Sequence, residues 1–252
     1  RQANDNTNLF NQNFSFTNGA GVQKLNSIMF GYLNPASTSV DEVGTIREAF
    51  DNFLNSDVAS SSNKFYITGI SYDITITNAT GTSNDNGISC ELDIYEIVCR
   101  KPHEFEKSGI ASMEALYAQA IADEDQLPGS GANMTASTVG YTPFDSNQMS
   151  QFFIIKNKQR YYLPRNESIS FVRDVKFKKA IKLTSENFND VVSAGDIQVY
   201  PSITRGLLLV QKGTSSNDGT QFVGSTLIRC SVQCRYRFKV LDKDNNQQGF
   251  GL

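Results

Sequence analysis

Ile228-Arg-Cys-Ser-Val-Gln-Cys-Arg-Tyr-Arg-Phe-Lys-Val240 is a stretch in which apolar and polar residues alternate without a miss. Ile228, Cys230, Val232, Cys234, Tyr236, Phe238 and Val240 share one parity, and Arg229, Ser231, Gln233, Arg235, Arg237 and Lys239 share the other. Successive side chains on a strand point to opposite faces, so the run reads as a β-strand with one apolar face and one face bearing four cations. At ~3.3 Å per residue it spans roughly 40 Å, about twice the usual strand. A strand of that length needs a broad sheet beside it and a second sheet over its apolar face. That points to a β-sandwich.

Other stretches carry the same period. Phe65 to Thr77 places Tyr66, Ile70, Tyr72, Ile74 and Ile76 on one parity, and Ile88 to Ile94 alternates strictly and runs on to about Lys101. A turn cluster from Asn78 to Gly87 separates them, so the two are expected to form an antiparallel pair. Phe152 to Leu163 and Ser168 to Leu183 are read as strands joined by Pro164-Arg-Asn-Glu167, a short connection of the hairpin kind. Ile203 to Val210 is a continuous apolar strand, and Asp242 to Leu252 a polar tail.

Helical spacing occurs twice. Ser39-Val-Asp-Glu42 forms a capping box before Ile46, Phe50, Phe53 and Leu54, which line one face of an amphipathic helix. Met113, Leu116, Tyr117, Ala120 and Ile121 make a second helical face, inserted between strands. Residues 128–150 read as loop, with room for a short strand around Thr138 to Tyr141. Residues 1–38 are mostly Asn, Thr, Gly and Ser with scattered Phe10, Phe14 and Phe16, and read as an arm docked by its aromatics. The expected organisation is an N-terminal arm with a short helix over 1–60 and one all-β domain over 61–252.

The chain has 252 residues and a net charge of −3, but its cations gather late. Residues 1–63 hold only Arg1, Lys24 and Arg47, whereas 156–182 hold Lys156, Lys158, Arg160, Arg165, Arg173, Lys176, Lys178, Lys179 and Lys182. Such a run is either a solvated strand face or a surface for a polyanion. No apolar run long enough to span a bilayer and no leader pattern is present. Because the first residue is Arg1 and not Met, a further N-terminal piece is expected upstream.

Parts for catalysis or metal binding are scarce. His103 is the single histidine, which leaves little from which to build a Ser-His-Asp triad or a histidine-rich metal site. Cys230 and Cys234 share a face but lie ~13 Å apart along a strand, too far for one disulfide or one zinc ion. Cys90 and Cys99 are separated further still, so all four cysteines read as small buried hydrophobes in a reducing compartment. Asp242-Lys-Asp-Asn-Asn246 resembles the start of a calcium loop, but Gln247 stands where glycine is needed. No cofactor and no metal is expected.

Phe152-Phe-Ile-Ile-Lys-Asn-Lys-Gln-Arg-Tyr-Tyr-Leu-Pro164, Ser168-Ile-Ser-Phe171, Lys176-Phe-Lys-Lys179, Thr204-Arg-Gly-Leu-Leu-Leu-Val-Gln-Lys-Gly213 and the final two-faced strand together carry a resemblance. In order and pattern they resemble the second half of single jelly-roll capsid proteins of eukaryotic viruses with circular single-stranded DNA, the bacilladnavirus group among them. The strands at 65–77 and 88–101 fit the opening of that fold, so about two-thirds of the chain is covered.

The resemblance implies an all-β, antiparallel two-sheet jelly-roll sandwich with one or two short helices inserted. It implies a coat protein of the virion, assembling with copies of itself into an icosahedral shell in the host nucleus or cytoplasm. It further implies a packaged single-stranded genome bound without sequence specificity, room for a host receptor, and no membrane. Arg229, Arg235, Arg237 and Lys239, with Lys176, Lys178 and Lys179, are then the candidate genome- or neighbour-facing residues. Their rival role is pairing with carboxylates such as Asp73 and Asp93. Two other classes stand beside the capsid: a secreted or cell-surface jelly-roll binding module, lectin-like or a trimeric ligand, and an enzyme built on a β-sandwich.

Overall fold

The computed structural model describes residues 6–33, 64–81, 89–101, 103–104, 138–145, 147–183, 198–199, 201–214, 224–241 and 247–248. Its strands are β1 (Asn6–Asn18), β2 (Lys24–Phe30), β3 (Tyr32–Leu33), β4 (Lys64–Asn78), β5 (Cys90–Cys99), β6 (His103–Glu104), β7 (Phe153–Leu163), β8 (Ser168–Leu183), β9 (Gln198–Val199), β10 (Arg205–Gly213), β11 (Thr226–Leu241) and β12 (Gln247–Gln248). A short helix, α1 (Asn147–Phe152), leads into β7.

Eight long strands form two antiparallel sheets. The first runs β1-β11-β4-β8 and the second β2-β10-β5-β7. Among these eight, every step along the chain crosses from one sheet to the other except β5 to β7, which pair directly. That is the wiring of a jelly roll. The strand that opened the sequence reading, β11, lies inside the first sheet, paired along its length with β1 on one side and β4 on the other.

Three expectations are corrected here. Strands β4 and β5 do not pair with each other, and β7 and β8 do not form a hairpin, because each pair is split between the sheets. Alternation reveals that a strand has one buried face, but not which strand lies beside it. The turn at Pro164–Glu167 instead carries the chain across the sandwich. It is clamped by Asn78, whose side-chain amide donates to Leu163 O at 2.8 Å while its backbone N donates to Glu167 O at 3.0 Å.

The third correction concerns residues 1–38. Far from being an arm, 6–18 and 24–30 are strands β1 and β2 of the two sheets. Phe14 and Phe16 are buried in the core, and Ile28 and Phe30 are fully enclosed. Gln12 interrupts the inward row of phenylalanines, and that interruption hid the period.

The helices expected over 39–55 and 112–121 lie outside the described residues. Thr138 to Tyr141, with room for a short strand by sequence, forms a turn, and a 3-10 turn at Pro143–Asp145 and α1 lie in the stretch read as loop. In the polar tail, Gln247–Gln248 pairs with Val240 and Leu241 of β11.

The main core fills the space between the sheets, with Phe30 stacked on Tyr72 at 4.5 Å and Tyr236 Oη accepting from Gly31 N at 2.8 Å. Gln211, fully buried on β10, ties three strands together. Its amide donates to Phe16 O on β1 and to Thr226 O and Oγ1 on β11, while its carbonyl accepts from Asn26 of β2. A second apolar cluster covers the outer side of the second sheet, where Leu25, Met29, Tyr95, Ile97 and Leu208 lie under Tyr141, Met149 and Phe153. Gln23 fastens this cover by donating to Tyr141 O at 2.7 Å and accepting from Gly140 N at 3.0 Å.

Candidate nucleic-acid interface

The two sheets differ in what lies on their outer faces. The second is roofed over part of its face by Tyr141, Phe144 and Met149 and elsewhere carries the exposed Lys158, Arg160 and Tyr162, whereas the outer face of the first carries no covering layer among the described residues. Directly opposed residues on neighbouring strands share a face. The registers therefore set out rows across the first sheet: Ser15, Arg229, Thr77, Ser168, then Asn13, Ser231, Thr75, Ser170, then Asn11, Gln233, Asp73, Val172. Two further rows read Leu9, Arg235, Ser71, Asp174 and Thr7, Arg237, Gly69, Lys176. Most of these side chains are small and polar. Hydroxyls bond across the strands, Thr75 with Ser170 at 2.8 Å and Thr77 with Ser168 at 2.7 Å, which keeps the surface low and flat.

Arg229 and Arg235 project from this face, both exposed, with no ion pair among the described residues. Six positions apart on one strand, they stand roughly 20 Å from each other. Arg237 is different. Its guanidinium lies across Gly69 and reaches β8, where it bonds to the Asp174 carboxylate and donates to Val175 O at 3.1 Å. Only glycine leaves room for it, since a Cβ at position 69 would stand 2.6 Å from the guanidinium and 2.6 Å from Val175 O. The hydrogen bond from Arg237 holds the Asp174 carboxyl below the usual carboxylate range.

Lys176 is exposed on the row beside Arg237. Lys239 is half-buried past a bulge in β4, opposite Tyr66, and has contacts of its own. Lys178 and Lys179 fall where the pairing of β8 with β4 jumps from Gly69–Lys176 to Ile67–Ile181. On the fully registered rows four cations, Arg229, Arg235, Arg237 and Lys176, face two acids, Asp73 and Asp174. The balance is positive although the chain as a whole is acidic.

The carboxylate partner of Arg237 is thus Asp174, not Asp73 or Asp93. Asp93 belongs to the second sheet, where it accepts from Arg160 Nε at 2.6 Å and Nη2 at 2.8 Å, with Lys158 at 3.5 Å. Arg160 also contacts Glu91 at 3.2 Å, and Lys212 reaches Glu91 at 2.8 Å. Burial works to raise the Asp93 carboxyl, but Arg160 and Lys158 outweigh it and hold the group below its ordinary range. The late cationic run is therefore divided: Lys158 and Arg160 serve this network, while Lys176 faces out from the first sheet.

A polar inclusion between the sheets escaped the sequence reading. Tyr72 Oη donates to Glu96 Oε1 at 3.1 Å, and Arg173 Nε stands 3.5 Å from Glu96 Oε2, beside a water-sized opening of about 10 Å³ that Asn157, Gln159 and Phe171 also line. Burial, and then Glu96, push the Tyr72 hydroxyl above its usual value. The signal was a break in parity, because Glu96 and Arg173 both sit on the inward, apolar side of their strands. Cys90, Cys99, Cys230 and Cys234 are free and buried, and burial pushes each thiol up to about 12. Among the described residues no group of three His, Cys, Asp or Glu could hold a metal ion, and no helix is long and apolar enough to cross a membrane.

No protein-family model and no curated protein sequence matches the chain. Among solved structures it aligns with the crystal structure of the Penaeus stylirostris densovirus capsid, at 7% identity and a TM-score of 0.38, over 100% of this chain and 88% of that one.

Proposed function

We propose that the chain is a viral capsid subunit, a jelly roll that assembles with copies of itself into an icosahedral virion shell and packages a single-stranded DNA genome. The observation that carries this is the asymmetry of the sandwich among the described residues: one sheet is partly roofed, and the other presents an uncovered hydroxyl-rich face from which Arg229 and Arg235 project with no ion pair. A packaged genome repels itself, and Lys or Arg side chains offset that repulsion through phosphate contacts that carry no sequence information. A face of Ser, Thr and Asn lets such a polymer slide and pack without base-specific hold-points. The resemblance of the strand sequences to single jelly-roll capsid proteins points the same way.

The test is salt-dependent binding of oligo(dT). Each phosphate contact on a single strand contributes about 0.7 to the slope of log K against log salt. The Arg229→Glu/Arg235→Glu double variant is expected to lower that slope by about 1.4 while its circular dichroism stays unchanged. An unaltered slope would remove these two residues from the interface.

A further inference from the structure

The two edges of the first sheet are built in opposite ways. On one side β8 carries Arg173, Lys176, Lys178, Lys179 and Lys182 and a break in register, the charges and irregularity that keep an edge from pairing with another chain. On the other side β1 has none of these. Its thirteen residues, Asn-Thr-Asn-Leu-Phe-Asn-Gln-Asn-Phe-Ser-Phe-Thr-Asn, include no charge and no proline, and they pair with β11 from Asn6 to Asn18 without a bulge. Its far side has no strand partner among the described residues. The edge is long as well, at about 44 Å.

The sequence of β1 is also nearly the same in both directions. About Gln12, Asn11 mirrors Asn13, Phe10 mirrors Phe14, Thr7 mirrors Thr17 and Asn6 mirrors Asn18, while Leu9/Ser15 and Asn8/Phe16 are the departures. A two-fold contact sets each residue opposite its mirror, and antiparallel partners point to the same face. We propose that β1 is a homodimerisation edge, pairing antiparallel with β1 of a second copy about a two-fold axis through Gln12. Asn11 then meets Asn13 and Thr7 meets Thr17 on the outer face, with Phe10 meeting Phe14 on the inner one.

With no charge on the strand, nothing repels at the axis. Leu9, 53% exposed at this margin, gains cover from the neighbouring strand. The joined sheet has eight main strands and ends in lysine-bearing β8 on both sides, so growth stops at two copies instead of continuing into a fibre. The contact does not rest on the shell reading, although in a closed shell it would occupy a two-fold position.

Site-directed cross-linking of the full chain tests the register. Directly opposed strand residues lie within disulfide reach, and only a residue on the axis meets itself. Gln12→Cys exposed to oxidised glutathione is expected to give a covalent dimer on non-reducing gels. Thr7→Cys alone is expected to stay monomeric, and Thr7→Cys/Thr17→Cys to cross-link. The native thiols are all buried, which keeps the background low.

Sedimentation provides an independent arm, because Asn11 and Asn13 are exposed and their replacement is expected to leave the fold intact. Asn11→Lys/Asn13→Lys should weaken the dimer at least about tenfold through like charges set directly opposite. Asn11→Lys/Asn13→Glu should restore it, and Val172→Lys, on the same face at the other edge, should leave it unchanged. Absence of a Gln12→Cys dimer, equal cross-linking by Thr7→Cys, or indifference to the lysine pair would overturn the proposal. A dimer without larger particles would uphold it while removing the shell.

Discussion

Arg237 and Gly69 work as one unit: the arginine can cross from β11 to Asp174 on β8 only because the residue between them has no side chain. Gly69→Ala puts a methyl 2.6 Å from Val175 O, which is backbone and cannot swing aside, and is expected to cost about 1–3 kcal/mol in urea unfolding. Arg237→Glu is expected to destabilise as well, since it sets a carboxylate against Asp174. Arg229→Glu and Arg235→Glu, which break no ion pair among the described residues, should each leave stability within about 0.5 kcal/mol.

Asp93 gives the molecule an acid-sensitive point. Its carboxyl is held below the unfolded value of about 3.9, so its contribution is complete above that pH and is lost as pH falls through the folded value. Asp93→Asn is expected to lower stability by about 1–3 kcal/mol at neutral pH. The gap between wild type and variant should start to narrow in denaturant titrations run below the unfolded pKa and close below the folded one. A gap that persists in acid would show that Asp93 acts through its shape and not its charge.

At the level of elements, the sequence told which stretches are strands better than which strands are neighbours. The unbroken alternation of β11 marked both its length and its cationic face. The same rule failed for β1, where Gln12 and the flanking asparagines dilute the apolar parity to Phe10, Phe14 and Phe16. It also misassigned the partners of β4, β5, β7 and β8, since hairpin logic assumes that adjacent strands pair, whereas here the chain alternates between layers. Spacing alone put Arg229, Arg235, Arg237 and Lys239 on one face and left open which of them pair with carboxylates. The capture of Arg237 could not, because Asp174 lies 63 positions away and meets it only through the β11-β4-β8 order.

Gln211 shows what the pattern rule treats as an error. A polar residue on the inward parity of β10, it joins β1, β2 and β11 through four hydrogen bonds. Gln211→Leu is nearly the same size but leaves the Asn26 amide and the Phe16 and Thr226 carbonyls without this partner, for an expected loss of about 2–4 kcal/mol. Hydrogen exchange should then show the amides of β1 opening before those of β4. Equal protection of the two strands would mean that β1 is held by its ladder to β11 alone.

At the scale of the whole molecule, the described residues form a sandwich with unlike sides: a second sheet partly covered by Tyr141, Phe144 and Met149, a first sheet whose face bears cations without ion pairs, and a neutral edge at β1 opposite a cationic edge at β8. A protein that works alone has little use for an unprotected strand edge beside an uncovered face, since both invite contact. The proposed assembly, copies of one chain tiled around a genome, would use both. The most direct measurement is sedimentation velocity, with negative-stain images of the same fractions, on the purified full chain incubated with single-stranded DNA across salt and pH. Closed particles of uniform size that carry nucleic acid are the predicted result. A chain that stays monomeric or trimeric under every condition, with no particles in the images, would contradict the capsid account.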